Sequence, residues 1–366
     1  MRIFYFITKS SEGGAQTVVY ELLLGHKRNG DEVKVMAEGE GWLAQKTVEL
    51  GFAYEENKYM RKSYNPLTLL RAMKIMRSSV MSFGADIVST HSSFSGIIGR
   101  FAIRNSIPVV YTTHGWGFTY GKNIFKFLNI LGEKLAGIYT EKIICVSERD
   151  KRIALQYKIV PGRKLAVIYN GVSVNKTFES VSGNELKIGF IGRIDWPKRQ
   201  DLLVEAISNL PENLGNQIKV LFIGDGPGKS ALIKQTKKLN IDQLASITGN
   251  MSREEALKIL STCSISVLLS ESEGMPMSVL ESLRLGIPVV ANAVGGISEA
   301  VDSTVGRLLP SNPTPKALTN ALAELIEKTE LRIKLSIAAL ARGEKFSAEN
   351  MCKETFSLYS KILSSS

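Results

Sequence analysis

Residues 264–292 read SISVLLSESEGMPMSVLESLRLGIPVVAN. The opening run is short, apolar and β-branched, as a buried strand is, while MSVLESLRLG has helical spacing closed by Gly286 and IPVVAN begins a second buried run. Strand, helix and strand in succession are the unit from which parallel sheets are wound. Glu273 then sits at a strand end. Pro276 suits the first helical turn, where a missing N–H costs little, so the amides near Met277 and Ser278 point outward unpaired. Such a helix start suits an anion or a hydroxyl-rich ligand. Glu281, about one turn into the helix, can accept hydrogen bonds from a diol such as a ribose. A lone glutamate pair is more often a loop charge and a solvated helix position, so the rest of the chain has to decide.

The same alternation runs through the chain. The expected strands are RIFYFI, EVKVMA, ADIVST, PVVYTTH, KIICVS and KLAVIYN in the first half. In the second they are LKIGFIG, IKVLFIG, ASIT, ISVLLS, IPVVAN and VGRLL. The polar stretch from Asn170 to Glu185 is the best linker between the two sets. At 366 residues the chain exceeds one compact core, and two similar α/β domains facing each other across a cleft are expected. Mean hydropathy of +0.02 and the lack of a long apolar run or a leader cleavage site point to a cytoplasmic protein. Cys145, Cys263 and Cys352 are odd in number and far apart, and read as reduced core thiols.

The net charge of +11 is uneven: residues 1–170 carry 24 Lys and Arg against 14 Asp and Glu, which leaves the second half nearly neutral. Two segments, Lys58–Phe83 and Gly121–Lys142, interleave cations with apolar residues at near-helical spacing. Their apolar faces are expected in the core. Lys58, Arg61, Lys62, Arg71, Lys74, Arg77, Lys122 and Lys126 form a basic solvent side, suited to peripheral contact with an anionic membrane.

In doubly wound sheets ligands bind beyond the carboxyl ends of the strands. After the first strand, Gly13 and Gly14 allow close backbone approach and a helix start faces the ligand. After PVVYTT comes His114, one of three histidines, at a position more often structural than catalytic. In FIGRIDWPKRQD, Arg193 and Lys198 can together neutralise a diphosphate. FIGDGPGKSAL gives only G-x-G-x-G with no acidic residue at the right strand end, so a nicotinamide site is discounted. No two aspartates have D-x-D spacing, hence no metal is expected.

Together EGGAQTVVYELL, THSSFSGIIGRFAI, IPVVYTTHGWGF, VIYNGV, GFIGRIDWPKRQDLLVEAI, FIGDGPGKSAL, SEGMPMSVLESLRLGIPVVANAVGGISE and FSAENMCKETFSLYSKIL resemble family 4 of the retaining glycosyltransferases, with the GT-B fold. The resemblance spans the chain. It implies an acceptor-binding Rossmann-like domain over 1–170, a nucleotide-sugar-binding one over 171–345, and a C-terminal helix, 346–366, packing back on the first. It assigns Glu273 to donor-sugar hydroxyls, with the amides of Met275 to Met277, and Glu281 to the ribose. Arg193 and Lys198 would take the diphosphate with the Gly14 amide, Met251 would lie near the base, and His114 would stabilise charge on the transferring sugar. Gly13, Gly274, Pro276 and Ser278 complete that donor site. Arg199, where the family usually has glycine after the lysine, weakens the Lys198 assignment. The implied reaction takes a sugar, with retention, from a nucleotide-sugar (UDP-linked by resemblance to surface-polysaccharide enzymes) to a polyprenyl-linked glycan, without cofactor. A nucleotide-sugar epimerase would need acid/base carboxylates on the first domain, where only His114 is found. A nucleic-acid binder would leave the pocket on the neutral half unexplained.

Overall fold

The structure, a computed structural model, describes residues 1–61, 65–119, 123–174 and 186–365. Lys62, Lys122 and most of the expected linker, residues 175–185, lie outside them. The described chain divides into two compact units, Met1–Gly171 with Ala348–Ser366, and Val172–Ser347.

The first unit holds seven parallel strands: β1 (Arg2–Lys9), β2 (Glu32–Glu38), β3 (Ala53–Glu56), β4 (Ile87–His91), β5 (Val109–Thr113), β6 (Lys142–Cys145) and β7 (Leu165–Val167), in the order β3-β2-β1-β4-β5-β6-β7. The second holds β8 (Leu186–Ile191), β9 (Ile218–Ile223), β10 (Ala245–Ile247), β11 (Ile265–Leu268), β12 (Val289–Asn292) and β13 (Gly306–Leu309), ordered β10-β9-β8-β11-β12-β13. Both are the doubly wound order of Rossmann sheets. Central strands are buried on both faces: every residue of β4, β5, β11 and β12 is buried, which is why they read as mainly apolar and β-branched runs without polar alternation. The order in which strands are added to each sheet reverses between β1 and β4, and between β8 and β11. Loops diverge at these points, opening a crevice at the strands' carboxyl ends.

The helix Ala348–Ser364 belongs to the first unit and packs on the helix Gly14–Asn29. A Cβ on Gly25 would collide with the Cys352 sulfur and the Phe356 ring, so this glycine sets how closely the two helices approach. Phe356 in turn lies against His26, ring centroids 4.1 Å apart. All three cysteines are free and buried.

One expectation about the core is overturned. In the helix Asn123–Ile138, Phe125, Phe127, Leu128, Leu131, Leu135 and Ile138 are 42–63% exposed. Inside, instead, lies an ion pair: Glu133 Oε2 accepts from Arg100 Nη2 at 2.5 Å, and Arg100 also donates to the Gly96 carbonyl and stacks 4.2 Å from the Tyr111 ring centre. Spacing locates a stripe on a helix but cannot say which stripe turns inward; here a buried charge pair fixes the other rotation. Arg77 is exposed as expected but is not free. Its guanidinium donates to the carbonyls of Ala102 and Ile103 and to Ser106 Oγ, closing the end of the helix Ser93–Ile103.

Candidate functional site

In the second unit the loops after β8 and β11, the strands flanking the reversal, are laced together. Arg199 N donates to the Leu269 carbonyl and Glu271 N to that of Pro197, both at 2.9 Å, and Lys198 bridges to Ser270. This carries the Lys198 ammonium to 2.6 Å from Glu273 Oε1, both side chains mostly shielded from solvent. A cation and a carboxylate distant in sequence are thus joined.

Two glycine segments make the approach possible. The loop after β9 leans on the Arg193 loop: Ile194 N donates to the Asp225 carbonyl, Gly228 N to that of Ile194, and a Cβ on Gly226 would strike the Ile194 carbonyl. The G-x-G-x-G that sequence reading set aside therefore supports the loop of Arg193. On the other side, Gly295 (φ 59°) has no room for a Cβ against the Glu273 carbonyl, and Gly296 N donates to the Gly274 carbonyl at 2.6 Å. Asn292, buried at the end of β12, clamps Ser270 through both backbone groups, at 3.0 and 2.8 Å.

The helix Met277–Arg284 starts directly after, with Pro276 at its N-cap rather than in its first turn, and no side chain caps it. Its first amides have no partner within the helix. Glu281 is buried, not solvated, and accepts from Arg253 Nε at 3.0 Å. Arg253 heads a helix whose capping box, Ser252 with Glu255, fixes its start. Met251, just before, packs beside Ile223, Leu257 and Ile287. Arg193 stands apart: it is 70% exposed and pairs with Asp195 at 2.8 Å, so the two loop cations are held by different carboxylates.

Gly13, Gly14 and His114 belong to the first unit. Gly13 precedes the helix Gly14–Asn29 in an extended conformation, with no side-chain cap. His114 follows β5 and contacts His91, the last residue of β4, with Nε2 3.1 Å from His91 Nδ1. Burial pushes His114 down to about 4 and His91 well below its ordinary range, the neighbouring His114 adding to the latter. His26, beside Tyr5 and Asp31, is also lowered by burial.

Sequence reasoning missed Arg253, Asn292 and Gly295. The first two act through partners far along the chain. Gly295 lay within a quoted motif, but only the packing shows what it meets.

The Lys198–Glu273 pair and the uncapped start of the helix Met277–Arg284 both follow strands that flank the switch point of a doubly wound sheet, the place where such sheets bind ligands. Comparison with known proteins is specific. Residues 175–342 match the model "Glycosyl transferases group 1" and residues 12–176 match "Glycosyltransferase Family 4". The chain is 30% identical over 323 residues to an uncharacterized glycosyltransferase of Methanocaldococcus jannaschii, covering 85% of this chain and 88% of that one. It is 28% identical to the Escherichia coli O-antigen biosynthesis glycosyltransferase WbnH, over 81% and 83%. A third relative is the E. coli UDP-Gal:alpha-D-GlcNAc-diphosphoundecaprenol alpha-1,3-galactosyltransferase, 29% identical over 68% of each chain. Among solved structures, Anabaena HepE in complex with UDP and glucose superposes with a TM-score of 0.84 at 18% identity, over 99% of this chain and all of that one. The chain belongs to the family 4 glycosyltransferases, of GT-B fold.

The histidines give a pH dependence. Each is lowered in the fold, so it stays neutral there, whereas the unfolded chain takes up protons below about pH 6.5. Stability is therefore fullest above 6.5 and falls as pH drops toward the folded value, about 4 for His114. We expect Tm to fall by several degrees between pH 7 and pH 5, and by less in His114→Asn; calorimetry across that range checks it.

Proposed function

We propose that this glycosyltransferase moves a sugar from a UDP-sugar to a lipid-linked glycan with retention of anomeric configuration, as a step in building a surface polysaccharide. The observation that carries the reading is the approach of Lys198 to Glu273 beside an uncapped helix start. Phosphate oxygens need cations and amides; sugar hydroxyls need a carboxylate acceptor. The relatives support the substrate classes: one is named for UDP-Gal and a diphosphoundecaprenol acceptor, another for O-antigen biosynthesis.

In this reading Lys198, Arg193 and the amide of Gly14 neutralise the departing diphosphate, with no divalent ion required. Glu273 and the backbone of Gly274 to Met277, with Ser278, hold the donor sugar. Glu281, oriented by Arg253, binds the ribose, and Met251 borders the base. His114 meets the transferring sugar as a neutral imidazole and stabilises the charge that develops as the anomeric bond breaks. Preorganised dipoles of this kind are worth most where charge develops in the transition state.

Membrane contact belongs to the same proposal. No helix among the described residues is long and apolar enough to cross a bilayer. The helix Asn123–Ile138 instead shows an outward apolar stripe, with Lys126 beside it over the Tyr157 ring. On the helix Pro66–Phe83, exposed Leu67 and Leu70 accompany Arg71 and Lys74. Apolar residues with adjacent cations suit the headgroup region of an anionic bilayer, where an acceptor with a polyprenyl tail resides.

Two outcomes are expected. Glu281→Gln should weaken UDP itself about tenfold or more, the scale of one hydrogen bond to a charged group, while Glu273→Gln should leave UDP binding near wild type and lower turnover. Titration calorimetry with UDP separates them; equal weakening by both would reject the assignment. For the membrane, Leu128→Ser with Leu131→Ser, and separately Arg71→Glu with Lys74→Glu, should each reduce flotation with anionic vesicles. Arg77 is left intact because it closes a helix. Undiminished flotation of both would remove these helices from the surface.

A further inference from the structure

The chain has three tryptophans, and two of them are packed. Trp116 is fully buried against Tyr111 and Phe118, and Trp42 meets the Tyr20 ring edge-on, centroids 5.2 Å apart. Trp196, in the loop after β8, is 63% exposed, so the indole is not covered on both faces. The other described aromatic rings of the second unit, Phe190, Phe222 and Phe346, are buried.

Single exposed apolar side chains are ordinary on a protein surface. This one is held. Its Nε1 donates to Glu271 Oε2 at 2.9 Å; the Glu271 amide donates to the Pro197 carbonyl, and Glu271 Oε1 lies 3.7 Å from Arg199 Nη1. Arg199 is fixed in turn on Asp201, Nε to Oδ1 at 2.9 Å and Nη2 to Oδ2 at 2.8 Å. The loops after β8 and β11 are therefore joined by two side-chain contacts: Lys198 to Glu273 and, two residues earlier on each loop, Trp196 to Glu271. The first is mostly shielded and the second stands in solvent.

A bilayer or a protein partner is met by contiguous apolar patches larger than roughly a few hundred Å². No such patch surrounds Trp196, because the other apolar side chains of the two loops apart from the prolines, Ile194, Leu269 and Met275, are buried. What remains is one flat apolar ring beside an exposed carboxylate. A pyranose is divided the same way, with ring C–H groups on its faces and hydroxyls around its edge. Laid on the indole, its C–H groups meet the negative face of the π system, while the lone pairs of Glu271 not engaged by the indole can accept from hydroxyls. An indole oriented in advance loses no rotamer freedom when the ring arrives.

We infer that Trp196, oriented by Glu271, is a stacking platform for a pyranose ring at the rim of the site. Assigning that ring to a substrate rests on the proposed function, and two sources share the chemistry: the donor's own sugar and a sugar of the acceptor glycan.

The test compares the full chain with Trp196→Ala, Trp196→Phe, Glu271→Ala and Glu271→Gln; both residues are exposed, so the core is left intact. Saturation-transfer NMR with methyl glycosides of glucose, galactose and N-acetylglucosamine, in the presence of UDP, reads contact with the ring C–H groups. Transfer should reach one face of at least one pyranoside, be lost in Trp196→Ala and persist in Trp196→Phe. Glu271→Ala should weaken it severalfold, and Glu271→Gln, whose amide oxygen still accepts from the indole, should restore it; Glu271→Ala behaving as wild type would reject the orienting role. Calorimetry then separates the sources. If Trp196→Ala weakens a UDP-hexose or UDP-N-acetylhexosamine about tenfold, the scale of one ring stacked on an aromatic face, while UDP is unchanged, the ring is the donor's. If the UDP-sugars bind both proteins alike and only glycoside transfer is lost, the ring is the acceptor's. Glycoside transfer and UDP-sugar affinity both indifferent to Trp196→Ala overturn the inference. Failure of the proposed function shows differently, as absent UDP binding in the wild type.

Discussion

The approach of the Lys198 ammonium to the Glu273 carboxylate, 2.6 Å, is the constraint around which the second unit is built. Two loops from neighbouring strands must meet backbone to backbone for it to form. Asn292 clamps one of them, and glycines at 226 and 295 admit the carbonyls of adjacent segments where any Cβ would not fit. A partly shielded ion pair contributes little to net stability, because the gain in attraction is offset by lost hydration. Under the proposed function its value lies in preorganisation: both groups would already be fixed before a phosphate and a sugar arrive, so binding would not have to order them.

The same logic extends to Glu281 and His114. A carboxylate buried on a helix needs a partner, and Arg253 supplies it. The half-buried His114 ring is held against His91, Nε2 to Nδ1 at 3.1 Å. In each case the group expected to touch the ligand is held by a residue that does not. The C-terminal helix returns to the first unit over Gly25 and His26, and it brings the Tyr359 hydroxyl to Ser89 Oγ at 2.8 Å.

Much of this was legible in the sequence, for a physical reason. Parallel strands buried on both faces cannot carry polar alternation, so β1, β5, β8, β9, β11 and β12 announce themselves as largely apolar or β-branched runs, and the turns after β11, β8 and β5 carry Glu273, Lys198 and His114. The strand Ala53–Glu56 escaped because it sits at a sheet edge, half exposed, with only β2 as neighbour. Arg253 escaped because nothing near it in sequence hints that its partner lies on another helix. The helix Asn123–Ile138 was turned the wrong way round because Glu133, an unpromising core residue on its own, is made admissible by Arg100.

The account stands or falls on whether the second unit receives a nucleoside diphosphate. The most direct measurement is thermal unfolding of the full chain with UDP, GDP or NAD in excess. Selective binding to the folded state at a hundredfold over Kd adds about 2.7 kcal/mol, an easily resolved rise in Tm. The account predicts that UDP raises Tm, that NAD does not, and that Lys198→Ala removes most of the UDP effect. Stabilisation by NAD alone, or a UDP effect untouched by the loss of Lys198, would contradict it.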